Sequence, residues 1–198
     1  MAVTTEMIKD LRERTSAGVL DCKRALEEAL GDMEKAVAIL REQGLATAAR
    51  KVGRVAREGV IEAYVHPGAK VASLVEVNSE TDFVARTDEF KALAHDLAMQ
   101  VAATKPLYIS AEDVPSEVME AQRKLYMAEL AGEKKSPREK EQDVEDRLKR
   151  FCEEVCLLEQ PFIKDPSIKV GELIIQHIAK LGENVVVRRF ARFAIGED

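Results

Sequence analysis

The run GVIEAYVHPGAKVASLVEVN, residues 59–78, constrains the fold most. Two β-rich stretches, Gly59–His66 and Lys70–Asn78, flank Pro67 and Gly68. Proline fixes φ and glycine accepts positive φ, so the pair predicts a type II turn. The result is a hairpin with one face to be buried. Helical patterns follow it. Thr87 is placed to cap a helix, Asp88 and Glu89 suit its first turn, and Pro106 ends it. Phe90, Leu93, Ala94, Leu97 and Val101 supply its apolar stripe. Val170–Leu181 repeats the pattern with Leu173, Ile174, Ile178 and Leu181, and Gly182 stops it. The β-rich end, Asn184–Ile195, is expected to add a third antiparallel strand. The fold class is therefore α+β: a small three-stranded antiparallel sheet packed by helices.

The first 44 residues read as three short helices and a domain of their own. Thr4 or Thr5 caps the first, which carries Met7, Ile8 and Leu11 and ends at Thr15–Gly18. The second shows Val19, Cys22, Leu26, Ala29 and Leu30, and Gly31 stops it. Asp32 caps the third, striped by Ala36, Val37 and Leu40, with Gly44 as its stop. So small a core suits a docking module. Residues 45–58 read as a linker, and 59–198 as a core and dimerisation domain. Ser110–Pro115 holds a short capped turn. A helix opens at Ser116 with Val118, Leu125 and Met127, and a helical period continues through Leu148, Phe151, Val155 and Leu158. Residues 116–160 then form an arm, one long solvated helix or a pair of helices, with Val144 and Leu148 on the inner face that packs against a second chain. Pro161 and Pro166 break the chain beyond it.

Hydrophobic residues make up 46% and charged residues 33%, the balance of a soluble chain. No apolar run approaches the roughly 20 residues that span a bilayer. The start, MAVTTEMIKDLRER, carries Glu6 and Asp10 and is unlike a signal peptide. Three cysteines, Cys22, Cys152 and Cys156, fit a reducing compartment, hence the cytoplasm. A net charge of −6 disfavours a general nucleic-acid binder. The basic stretch Arg41–Arg57 reads better as a linker or protein contact. Phosphate-loop, HExxH and CxxC motifs are absent, and His66, His95 and His177 are far apart. No motif names a catalytic, metal or cofactor set, and an acidic site around Glu80 and Asp82 would need a metal or a third polar group that the sequence does not name.

SETDFVAR, Ser79–Arg86, admits two readings. Thr81 or Asp82 caps a short helical turn in either. In one, Phe83 plugs the core and Asp82 is held by backbone N–H groups. In the other, Phe83 stands outside on a rigid turn beside an oriented acid. An aromatic so placed is an efficient wedge, since little side-chain entropy is lost on docking.

Leu11–Gly44, LRERTSAGVLDCKRALEEALGDMEKAVAILREQG, and Glu76–Phe90, EVNSETDFVARTDEF, together resemble the bacterial elongation factor Ts family, in its compact short-core class. NVVVRRFARF is a third, weaker likeness. The resemblance implies an amino-terminal three-helix domain of ubiquitin-associated type. It also implies a guanine nucleotide exchange factor for elongation factor Tu, acting on the partner's GDP and Mg²⁺ without a cofactor or bond chemistry of its own. Thr81, Asp82, Phe83 and Val84 take the family's exchange positions, with Phe83 as the wedge. Val19 and Leu20 stand where the family has contact methionines. A homodimer is implied, with Val144 and Leu148 of the arm and Val186 and Phe190 of the last strand as its elements. Neither nucleic acid nor membrane is an implied partner. The chain departs from the family at Ser16, where glycine is usual, at Val19–Leu20, and at Thr87, where asparagine is common. The competing reading is a helical adaptor of the translation machinery, indifferent to nucleotide.

Overall fold

In the computed structural model, which describes residues 3–15 and 17–197, Pro67 and Gly68 turn the chain as their chemistry requires. Gly68 has φ 94°, and Ala69 N–H donates to His66 O at 2.8 Å. The turn joins β1 (Glu58–Val65) to β2 (Val71–Ser79). With β5 (Val186–Ala194) they form a three-stranded antiparallel sheet in the order β1-β2-β5. Two compact units are present, Met1–Val60 with Glu76–Leu93 and Leu173–Arg188, and Ile61–Val75 with Ala94–Glu172 and Arg189–Asp198. Ser16, the departure noted above, lies outside the described residues.

The first unit opens with α1 (Thr5–Thr15), α2 (Val19–Glu28) and α3 (Met33–Lys51). Leu11, Cys22, Ala25, Leu26, Ala36 and Leu40 bury against one another. Each leucine so buried contributes about 1.5–3 kcal/mol. Asp32 caps α3 by accepting from Lys35 N–H at 3.1 Å. The stripe expected on α2 holds at Cys22, Leu26 and Ala29, but Val19 and Leu30 are exposed. Leu30 lies beyond the helix end at φ 54°, where Gly31 N–H reaches back to Leu26 O at 2.9 Å. Gly44 does not stop α3. Its φ is not positive, and the helix-forming run LATAARK carries α3 on to Lys51, with Gly53 at φ 87° beyond it. The same unit holds α4 (Asp82–Ala85) and the buried start of α5 (Asp88–Thr104). Thr87 caps α5, accepting from Phe90 N–H at 3.2 Å. It also holds most of α8 (Val170–Leu181), ended by Gly182 at φ 72°.

In the second unit, Ser73 Oγ donates to Ala98 O at 2.6 Å and Arg192 Nε to Ala102 O at 2.9 Å. These bonds fix which face of the sheet meets α5. Ser110 and Asp113 close a capping box around the short turn expected there. The arm is a hairpin of α6 (Ser116–Glu129) and α7 (Pro137–Val155), the latter opened by a Ser136–Glu139 capping box with Pro137 behind it. Val144 and Leu148, expected at a dimer surface, are instead buried by Leu130, Met119 and Tyr126 of the hairpin itself. The helical period does not reach Leu158. Cys156 turns extended and bridges Tyr108, and Leu157 N–H donates to Tyr108 O at 2.9 Å. The two prolines read as breaks lie in a small ladder, β3 (Pro161–Phe162) against β4 (Asp165–Lys169).

All three cysteines are free and buried. Burial pushes the Cys156 thiol up to about 12, with Cys152 beside it adding to the shift. Burial likewise raises Cys152 and Cys22. Because the thiolate is the reactive form, the native protein should react with a disulfide reagent at pH 8 far more slowly than a free thiol. All three thiols should appear on denaturation. Rapid labelling of the native chain would contradict this burial. No helix among the described residues is long and apolar enough to cross a membrane.

Candidate functional site

After β2 the chain turns on Ser79, whose hydroxyl donates to Thr81 O at 2.9 Å. Thr81 is the N-cap of α4, with extended backbone, and its Oγ1 accepts from Val84 N–H at 3.4 Å. Four helical residues cannot stabilise themselves. Two sets of contacts order them. Val84, 6% exposed, and Ala85 turn inward. Outside, the Glu183 carboxylate accepts from Thr81 N–H at 2.9 Å and from the Thr81 hydroxyl at 2.7 Å.

One residue earlier, Glu80 accepts from Asn184 N–H at 2.7 Å and pairs with Arg54 at 3.5 Å. Asn184 Nδ2 donates to Arg54 O at 2.9 Å and closes the ring. The Asn184 N–H, helped by the charges of Arg54 and Lys51, holds the Glu80 carboxyl below the usual carboxylate range. This anchor is therefore in place above that range and is lost as pH falls through the lowered value.

With Val84 and Ala85 inside, the helical period leaves Phe83 outside, and it is 77% exposed. It is not a core plug. Asp82 is not the cap either, since Thr81 holds that role. The Asp82 carboxylate is exposed and pairs with Arg86 at 2.7 Å, a contact worth a few tenths of a kcal/mol. Elsewhere in the same unit Val19 and Leu20, 52% and 69% exposed, project from the first turn of α2 behind Gly18. Among the described residues no cluster of His, Cys, Asp and Glu is placed to hold a metal. No sequence pattern points to Glu183, Asn184 and Arg54, because the hydrogen bonds that join them to the turn and to one another span more than 100 residues.

The second unit also has an exposed apolar surface. Phe190 shares its side of β5 with Arg192, which reaches α5, and is half-buried. Val186 is exposed. The opposite face of the sheet carries Ile61 and Val65 of β1, Leu74 of β2, and Phe193 with Ile195 at the end of β5, all exposed. The alternation is set by Glu62 bonding His95 and by Ser73 and Arg192 bonding α5.

Fold and turn define an α+β protein that presents a single aromatic on a short, braced helical turn. The model of the family described as elongation factor TS matches residues 2–197. Elongation factor Ts of Carboxydothermus hydrogenoformans is 59% identical over 195 residues, covering 98% of this chain and 90% of that one. That of Heliobacterium modesticaldum is 53% identical, covering 98% and 91%. That of Herpetosiphon aurantiacus is 52% identical over 198 residues, the whole of both chains. The chain belongs to the elongation factor Ts family.

Proposed function

We propose that this chain is a guanine nucleotide exchange factor for elongation factor Tu and that Phe83 is its wedge. The observation that carries the reading is a large aromatic, 77% exposed, on a turn whose neighbours on both sides are fixed. Exposed aromatics on pre-ordered backbone lose little entropy on insertion. Phe83 enters the nucleotide-binding domain of the GTPase beside Asp82, between Thr81 and Val84, which set the turn. The insertion disturbs the Mg²⁺ and the phosphate-binding region, and GDP leaves. The chain breaks no bond and needs no cofactor.

Coupling is reciprocal: if the factor weakens GDP binding a hundredfold, GDP weakens the factor equally, at a cost of about 2.7 kcal/mol. One buried aromatic hot spot supplies roughly 2 kcal/mol or more. Only binding that favours the nucleotide-releasing state accelerates release. A calorimetric titration tests this. Nucleotide-free elongation factor Tu should bind about a hundredfold tighter than its GDP form. Equal affinities would mean the nucleotide-indifferent adaptor.

Residues 1–44 act as a ubiquitin-associated-like docking module, with 45–58 as the connection to the core. Val19 and Leu20 seat this module on the GTPase, and their exposure supports that role. Val19→Asp should weaken association at least tenfold by calorimetry, since a charge is then carried into an apolar contact. An unchanged dissociation constant would remove Val19 from the interface. The factor works in the cytoplasm as a homodimer. Its contact is the exposed sheet face around Leu74 and Phe193 rather than the arm, whose Val144 and Leu148 are already covered.

A further inference from the structure

A capping box normally closes within four residues. The side chain at N3 reaches back to the N-cap N–H. In α4 the N-cap is Thr81 and N3 is Val84, an apolar residue turned into the core. The local sequence therefore cannot satisfy the Thr81 N–H. Glu183, 102 residues later, does so, and takes the Thr81 hydroxyl as well. Its neighbour Asn184 makes the reverse bond, its backbone N–H donating to the Glu80 carboxylate. The carboxylate of Glu183 thus completes a capping box from a distant part of the chain.

We propose that Glu183 is a positioning residue for exchange, one that sets the direction in which Phe83 is presented. The inference rests on the wedge reading above. α4 is too short to hold its own orientation, and Asp82–Arg86, an exposed pair, adds little. Val84 fixes the depth of the turn. The pair of bonds from Thr81 to Glu183 fixes its rotation, because two acceptors on one planar carboxylate allow a single arrangement. Without them the wedge must be ordered anew at each insertion. The cost then falls on the nucleotide-releasing state, and the initial encounter through Val19 and Leu20 is spared.

The test is a double-mutant cycle on catalysed GDP release, with chain concentration varied to separate the maximal rate from half-saturation. Glu183→Ala should lower the maximal rate about tenfold, the scale of losing hydrogen bonds to a charged acceptor. Half-saturation should move less than twofold. Glu183→Gln, which keeps shape and one acceptor, should lie between, and Thr81→Ser, which keeps both donors, should retain near-normal exchange. On a Phe83→Ala background, Glu183→Ala should cost nothing further. If Phe83→Ala itself has no effect, the wedge reading fails first. If Phe83→Ala slows exchange but neither Glu183 variant does, the positioning role fails alone. A loss that adds fully to that of Phe83→Ala makes Glu183 a structural residue. Circular dichroism of each variant separates misfolding from slow exchange, and Glu183→Gln decides the matter if Glu183→Ala is unfolded.

Discussion

Phe83→Ala should leave the protein folded and lower its maximal catalysis of GDP release about thirtyfold, the rate equivalent of a 2 kcal/mol hot spot. The side chain is 77% exposed, so its removal leaves no cavity and no buried group unpaired. The melting temperature should change by no more than a surface substitution allows. The adjacent residue provides the contrast. Val84 is 6% exposed, and shortening it to alanine should cost stability of about 1–2.5 kcal/mol while the folded fraction exchanges nearly normally. The two neighbours thus separate wedge from plug. A Phe83→Ala protein that melts much earlier yet exchanges normally per folded molecule would return Phe83 to the core.

Phe193→Asp should reduce the homodimer proposed above to monomer at micromolar concentration, read as a halved mass by sedimentation. Ile61, Val65, Leu74, Phe193 and Ile195 make one sheet face that is apolar and uncovered. Two copies of such a face can meet about a two-fold axis and bury each other. A carboxylate placed there is desolvated without a partner, and each interface carries it twice. The loss should exceed about 3 kcal/mol, more than a hundredfold in dimer affinity. Val144→Ala in the arm should instead act through stability, because its side chain is fully buried within its own hairpin. An unchanged mass for Phe193→Asp would move the interface elsewhere.

Much of the fold was legible from short-range chemistry. Pro67 and Gly68 can do little but turn, the Thr87 cap precedes an unbroken stripe, and Gly182 ends α8 where the pattern stops. Other elements departed from the local pattern, each for its own physical reason. Gly44 looked like a helix stop, but stops need a backbone that only glycine adopts readily, and that backbone occurs at Gly53. The sequence allows the arm to be one long helix or a pair, and the structure has the pair, α6 and α7. Val144 and Leu148 are buried within that pair, against Leu130, Met119 and Tyr126, whereas Leu125 of α6 stays exposed. In β5 the period of two was evident but its phase was not. Arg192 reaching Ala102 O puts Phe190 on the covered side and Phe193 on the open one.

At the turn, the sequence supplied the cap and the aromatic and left two orientations open. Val84 rather than Phe83 fills the core because the N-cap of α4 is Thr81 and not Asp82. That register is held by Glu183 and Asn184, which no local pattern connects to it.

The most direct measurement follows a fluorescent GDP leaving elongation factor Tu by stopped flow, in excess unlabelled nucleotide, with substoichiometric amounts of this chain. The release rate should climb with the concentration of the chain, and the climb should nearly vanish with Phe83→Ala. A flat rate with intact binding, or equal acceleration by Phe83→Ala, would contradict exchange by an inserted Phe83.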